Sequence, residues 1–248
     1  MNTPLVMLAV TKMQTGVCIA GVRRDDPAIW VRPVRDFGSI LLGDVTYPPI
    51  PGAAGAPSRR VMRPFDVVEF ALGHARHEPP FVEDWTCDFA HRRPRLLATL
   101  PASERAALLD AAACPPAALF TQERRSLGAL AVEHLTAKFH LDTYSGKYEA
   151  RLAFAGLPAS DADAPCTDLK WRALGRRLLQ GHLAVHEEQG GVRALTLADA
   201  ELRAALGGVE RVWLALGLSR AYRGRSWPLV VGVHTLPDYE ADIDYSIL

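Results

Sequence analysis

Short apolar runs broken by Pro, Gly and Asp turns dominate the sequence, and no stretch sustains a long helical period. Leu5–Val10 is a continuous apolar run of the kind a buried strand shows, and Thr11–Gly16 reads as the turn after it. Val17–Arg24 is a second strand, ended by the turn residues Asp25-Asp26-Pro27. Ile29–Val34 is a third, and Pro33, which has no N–H for a ladder, places it near an edge or ends it there. Residues 36–60 are rich in Pro and Gly and read as a long surface loop. Phe65–Leu72 is a further strand, and the proline-rich, mixed-charge segment His74–Asp88 reads as irregular.

Ser103–Ala113 predicts a helix capped by Ser103 with Leu108 and Leu109 turned inward. Strand signals then resume. Ala129–Phe139 is one, and Lys147–Phe154 puts Tyr148, Ala150, Leu152 and Phe154 on a single face. Asp168–Leu174 is expected as a strand, and Thr196–Leu206 as a short helix capped by Thr196 with Asp199 in its first turn. Val209–Leu216 and Trp227–His234 are strands with the hairpin-like turn Tyr222-Arg223-Gly224-Arg225 between them. The pattern predicts a mostly β protein with minor helix. Small barrels or sandwiches occupy 1–100 and 126–248, and a helical connector occupies 101–125. Strands do not alternate with long helices, which argues against a doubly wound sheet. Trp30-Val31-Arg32 in the first half and Trp171-Arg172 in the second suggest a duplication.

Charge narrows the partners. The 28 basic and 28 acidic residues cancel, so any attraction to a polyanion or an anionic membrane must come from a local patch. Of the basic residues 24 are Arg and 4 are Lys, which suits bidentate recognition of phosphate or a base edge and also follows from GC-rich codon usage. Cys18, Cys87, Cys114 and Cys166 are too far apart for a metal knuckle, and reduced thiols in a cytoplasmic setting are expected. Met1-Asn2-Thr3-Pro4 lacks the flank and core of a signal peptide, and no apolar run is long enough to span a bilayer, so no membrane partner is expected.

The runs Val17-Cys18-Ile19-Ala20-Gly21-Val22, Trp30-Val31-Arg32-Pro33-Val34, Pro64-Phe65-Asp66-Val67-Val68-Glu69, Val82-Glu83-Asp84-Trp85, Val212–Ser219 and Leu229–His234 follow one another in that order along nearly the whole chain. On these runs the chain resembles the bacterial dual OB-containing domain family. The resemblance implies two OB-like β-barrels in tandem and a nucleic-acid-binding or sensing role. It carries no agreed catalytic residues and no cofactor.

Barrels of that kind bind oligonucleotides on one sheet face and its loops, with basic groups on the backbone and aromatic rings under the bases. Three clusters combine the two. The first is Trp30, Arg32 and Arg35, the second Lys170, Trp171, Arg172 and Arg176, and the third Arg220, Tyr222, Arg223, Arg225 and Trp227. The plain structural reading of each is a buried Trp whose face an Arg covers. His74, His77 and His91 with Asp88 do not make a metal site, because Gly73 and Pro79-Pro80 deny them a helix. The acidic tail, with Asp238, Glu240, Asp242 and Asp244, reads as an amphipathic strand or docked tail that can pair with the Arg clusters and mask them. Phosphate-loop, nucleophile-elbow and His-Glu-x-x-His motifs are absent. The expected function is a non-catalytic module for single-stranded DNA or RNA or a nucleotide-like ligand. The alternatives are a protein-interaction module, and an enzyme using the tail or the Glu83-Asp84 pair as acid and base.

Overall fold

In this computed structural model the described residues are 2–13, 15–47, 60–120, 124–181, 186–188, 191–221 and 223–243; for 186–188 the description is of the backbone alone. The chain divides into two units, Met1–Ala113 with Arg124–Leu127, and Cys114–Glu123 with Gly128–Leu248. The stretch 101–125 is thus shared between them. No described helix is long and apolar enough to cross a membrane.

The first unit is built on the long apolar run at the N-terminus. Strand β1 (Asn2–Met13) is buried without a break from Leu5 to Thr11, and it extends past the expected turn at Thr11. Its first part pairs with β6 (Asp66–Ala75) and its later part with β2 (Gly16–Arg23). A register shift between Met7 and Ala9 marks the change of partner, as a bulge that bends a strand does. Gly21 makes the bend possible: a Cβ there would stand 2.4 Å from the Val6 carbonyl oxygen.

Strand β3 (Trp30–Val34) follows β2 antiparallel, and after it come a 3-10 turn at Leu42–Val45 and the small pair β4 (Thr46–Tyr47) and β5 (Arg60–Val61). Strand β7 (Asp84–Cys87), inside the segment expected to be irregular, pairs with β6 and runs parallel to β3. The order β1-β2-β3-β7-β6, with β6 back on β1, closes a five-stranded barrel, and β8 (Arg95–Thr99) adds to the outside of β6. Three strands in sequence with the next returning beside the first is a Greek key.

Helix α1 (Ala102–Ala111) ends this part with Leu108 and Leu109 buried, as expected, but it starts after Pro101 and Ser103 caps nothing. Helix α2 (Pro116–Phe120) opens the second unit. There the run 129–139 is two strands, β9 (Leu127–Val132) and β10 (Leu135–Asp142), interrupted at Glu133-His134. Strand β11 (Tyr148–Phe154) forms a hairpin with β10, and β12 (Ala164–Pro165) pairs with β11.

Residues 168–174, expected as a strand, are helix α3 (Leu169–Gln180). The Asp168 carboxylate accepts the Lys170 N–H as an N-cap, and the apolar residues fall on a helical stripe through Trp171, Leu174, Leu178 and Leu179. Strands β13 (His186–Glu188) and β14 (Val192–Ala198) extend the β10–β11 sheet, and α4 (Asp199–Ala205) follows; Thr196 lies in β14 and does not cap it. Strands β15 (Arg211–Leu218) and β16 (Pro228–Leu236) form a three-stranded sheet with β9. A parallel bridge from Cys166 to Val230, with the Thr167 N–H donating to the Val230 carbonyl, joins the two sheets at β12 and β16. The core between them gathers Leu119, Phe139, Leu152, Trp171, Leu214 and Val233.

Candidate functional site

The first sequence cluster is part of the first unit's interior. Trp30 is buried, and its indole N–H donates to the Ala112 carbonyl oxygen at 3.3 Å. Arg32 is buried beside it, with its guanidinium 2.6 Å from the Asp84 carboxylate, 3.1 Å from Ser126 Oγ and over the Phe81 ring. Ser126 Oγ in turn donates to Glu83, which also accepts the N–H groups of Ser126 and Leu127. Glu83 and Asp84, the acid–base pair of the enzyme reading, are thus buried and engaged in holding strands and the 124–127 segment. Arg35 makes two bonds to Asp44, at 2.6 and 2.7 Å. Trp30 therefore has no open face for a base.

The second cluster also changes role, because it lies on α3. Trp171 is fully buried, packed on Phe139 and edge-on to Tyr239. Arg172 and Arg176, one helical turn apart, both cover the ring of the buried Tyr148, and Arg172 donates to the Tyr148 carbonyl oxygen. Burial holds the Arg172 guanidinium below its ordinary pKa. Gly175 lets the helix come this close: a Cβ there would meet Phe139 and Tyr148 Oη at 2.2 Å. Lys170 is bound to Asp238 at 2.8 Å and sits over Tyr239, and Arg177 donates to the Glu240 carbonyl oxygen. The described part of the tail is a docked, irregular segment with Tyr239 in the core, not a strand; Asp244 lies outside the described residues. Trp30 and Trp171 stand in a strand and a helix, so they are not a repeated element.

The third cluster is different, because its ring is at the surface. The β15–β16 loop is pinned by two bonds between Ser219 and Trp227: the Ser219 N–H donates to the Trp227 carbonyl, and the Trp227 N–H to Ser219 Oγ. Arg223 and Gly224 have φ of 52° and 78°, left-handed backbone that glycine adopts without strain. Trp227 is 40% exposed. The Arg225 guanidinium stands 3.9 Å from its ring centroid and reaches Ser160 Oγ at 3.2 Å and the Asp161 carboxylate at 3.4 Å. Arg220, Arg223 and Arg225 are exposed, and Tyr222 lies outside the described residues.

Two exposed rings escaped the sequence reading. Phe37 is 92% exposed on the loop after β3, where Asp36 takes an Arg76 bond through its carbonyl and lies 4.0 Å from His74. Tyr144 is 83% exposed on the β10–β11 turn. Exposure is what makes these rings candidates; Tyr144 has no Arg near it in sequence, whereas Phe37 stands two residues from Arg35, a signal that could have found it. Among the described residues no group of three or more His, Cys, Asp or Glu converges as a metal site. No protein family, curated protein or solved structure matches the chain.

Proposed function

We propose that the chain is a dual OB-like, non-catalytic binding module for single-stranded nucleic acid, with the β15–β16 hairpin as its contact element. The observation that carries this reading is Trp227, a half-exposed ring on a fixed hairpin, with Arg225 stacked on one side and Arg220 and Arg223 in the same loop. An indole at the surface costs solvation and stacks on any base, while guanidinium groups nearby neutralise phosphates.

The architecture supports the same reading. The first unit is a closed five-stranded Greek-key barrel, as an OB barrel is. The second unit repeats its pairing order in opened form. The run β9–β10 stands where β1 does, pairing with β15 through its first part and β11 through its second, and the β12–β16 bridge stands where the parallel β3–β7 pair does. On this reading β12, rather than α3, is the counterpart of β3.

The test is titration with a labelled single-stranded oligonucleotide at several salt concentrations. Binding should weaken as salt rises, and it should quench tryptophan emission more in wild type than in Trp227→Phe, because Trp30, Trp171 and Trp213 are buried and Trp85 is half-buried. The Arg223→Ala/Arg225→Ala variant should bind more weakly with a shallower salt slope. Binding by that variant equal to wild type, or no binding by the wild type, overturns the proposal.

A further inference from the structure

The β10–β11 turn is built to hold Tyr144 out. The Asp142 carboxylate accepts the N–H groups of Tyr144 and Ser145, which keeps that carboxyl below its ordinary range, and Gly146 takes a φ of 69°. Thr143 gives both its N–H and its hydroxyl to the Gly191 carbonyl. The Tyr144 ring lies so near Gly191 that a Cβ there would meet it at 2.3 Å. A ring 83% exposed would ordinarily sample many rotamers, and here one edge is seated while the rest is open.

At the other end of β11 lies the loop whose Ser160 and Asp161 hold Arg225. The 7 residues of β11 separate the two ends by roughly 23 Å at about 3.3 Å per residue. Between them, the sheet face opposite the buried Phe139, Tyr148 and Leu152 carries Lys138, His140, Glu149 and Arg151. Lys138 and Arg151 flank one carboxylate, Asp163; burial alone would raise its pKa, but the bonds from both cations bring it below the ordinary value.

Resting on the proposed nucleic-acid function, we infer that Tyr144 is a second stacking platform, and that the second unit takes an extended strand laid from Tyr144 along the outer face of β10 and β11 to Trp227. A mononucleotide cannot bridge that separation. At a stacked rise of 3.4 Å per nucleotide about seven nucleotides do, and fewer if the strand is stretched. Lys138 and Arg151 meet its phosphates, and Asp163 and Glu149 together keep the empty face close to neutral.

The experiment is a length series of oligothymidylates from three to fifteen nucleotides, measured by anisotropy on the full chain, wild type and three variants. Wild-type affinity should rise with length and level off once both rings are spanned. Tyr144→Ala should lose about tenfold or more on long oligomers and leave the trimer unchanged, because the turn is fixed by Asp142, Thr143 and Gly146 and not by the ring. Lys138→Ala should lower the salt slope on long oligomers by about one. Trp227→Ala should weaken every length. If Trp227→Ala weakens binding while Tyr144→Ala matches wild type at all lengths, the extended track is wrong and the hairpin site stands. If no length binds wild type, both readings fall, and a protein partner at these rings becomes the better account.

Discussion

The Arg225 guanidinium lies 3.9 Å from the centroid of the Trp227 ring while its Nη2 meets Asp161 at 3.4 Å. The carboxylate holds the cation on the ring and also sets a negative charge where a phosphate would come. Asp161→Ala should therefore tighten oligonucleotide binding, by up to about fivefold given the ~1 kcal/mol or less that half-exposed ion pairs are worth. Trp227→Ala should cost about 1–3 kcal/mol, the usual worth of one stacked base. Anisotropy titrations at one salt concentration check both; looser binding by Asp161→Ala would mean that Asp161 is needed to orient Arg225.

Trp30 and Trp227 look alike in sequence, since each stands two residues from an Arg, yet one is core and the other surface. What separates them is the acid that binds the neighbouring Arg. Asp84 is fully buried in β7 and draws Arg32 inward, whereas Asp161 is in an irregular loop and leaves Arg225 outside. Strand β7 was illegible for the same reason: the prolines and mixed charge of His74–Asp88 read as irregular, and only the parallel partner β3 supplies Arg32 for Asp84. The apolar runs of β1, β2, β6, β15 and β16 were legible because each is bounded by turn residues. Helix α3 carried a usable signal that a strand reading passed over, namely Asp168 as a cap and apolar residues at 171, 174 and 178. Phe37 and Tyr144 stand out only once exposure is known.

The buried Arg32–Asp84 pair predicts a large stability effect with little effect on binding. Removing one partner leaves the other charge in the interior, so Asp84→Ala should cost about 3–5 kcal/mol, whereas replacing both by apolar residues of similar size should recover much of that. Urea unfolding of Asp84→Ala and of Arg32→Met/Asp84→Leu measures the difference. Equal losses in the two variants would show that the cost lies in losing the pair's own bonds and not in a stranded charge.

Gly175 predicts an overpacking effect in the second unit. A methyl group there overlaps the Phe139 ring and Tyr148 Oη, both held in the core, so helix or sheet must shift. Gly175→Ala should destabilise by about 1–3 kcal/mol despite alanine's better helix propensity. A thermal melt followed by circular dichroism reads it directly, and an unchanged or raised midpoint would mean that α3 rides more loosely on the sheet.

Asp168 predicts a pH dependence with a definite sign. Its carboxylate is buried, and burial pushes its pKa up to about 6 although it accepts the N–H groups of Val233 and Lys170. In the unfolded chain the group returns to its ordinary value near 3.8. Between those two values the folded state binds the proton that the unfolded state has lost, so stability falls as pH rises across that window. The full difference is at most about 3 kcal/mol at 1.36 kcal/mol per unit. Asp66, also raised by burial, acts in the same direction in the first unit, so the wild-type slope alone does not isolate the residue. Asp168→Asn keeps a capping oxygen and cannot ionise. Urea unfolding from pH 4.5 to 7.5 should show wild type losing stability as pH rises, and Asp168→Asn losing distinctly less. Parallel slopes would place the Asp168 carboxylate in a better-solvated setting than its burial implies.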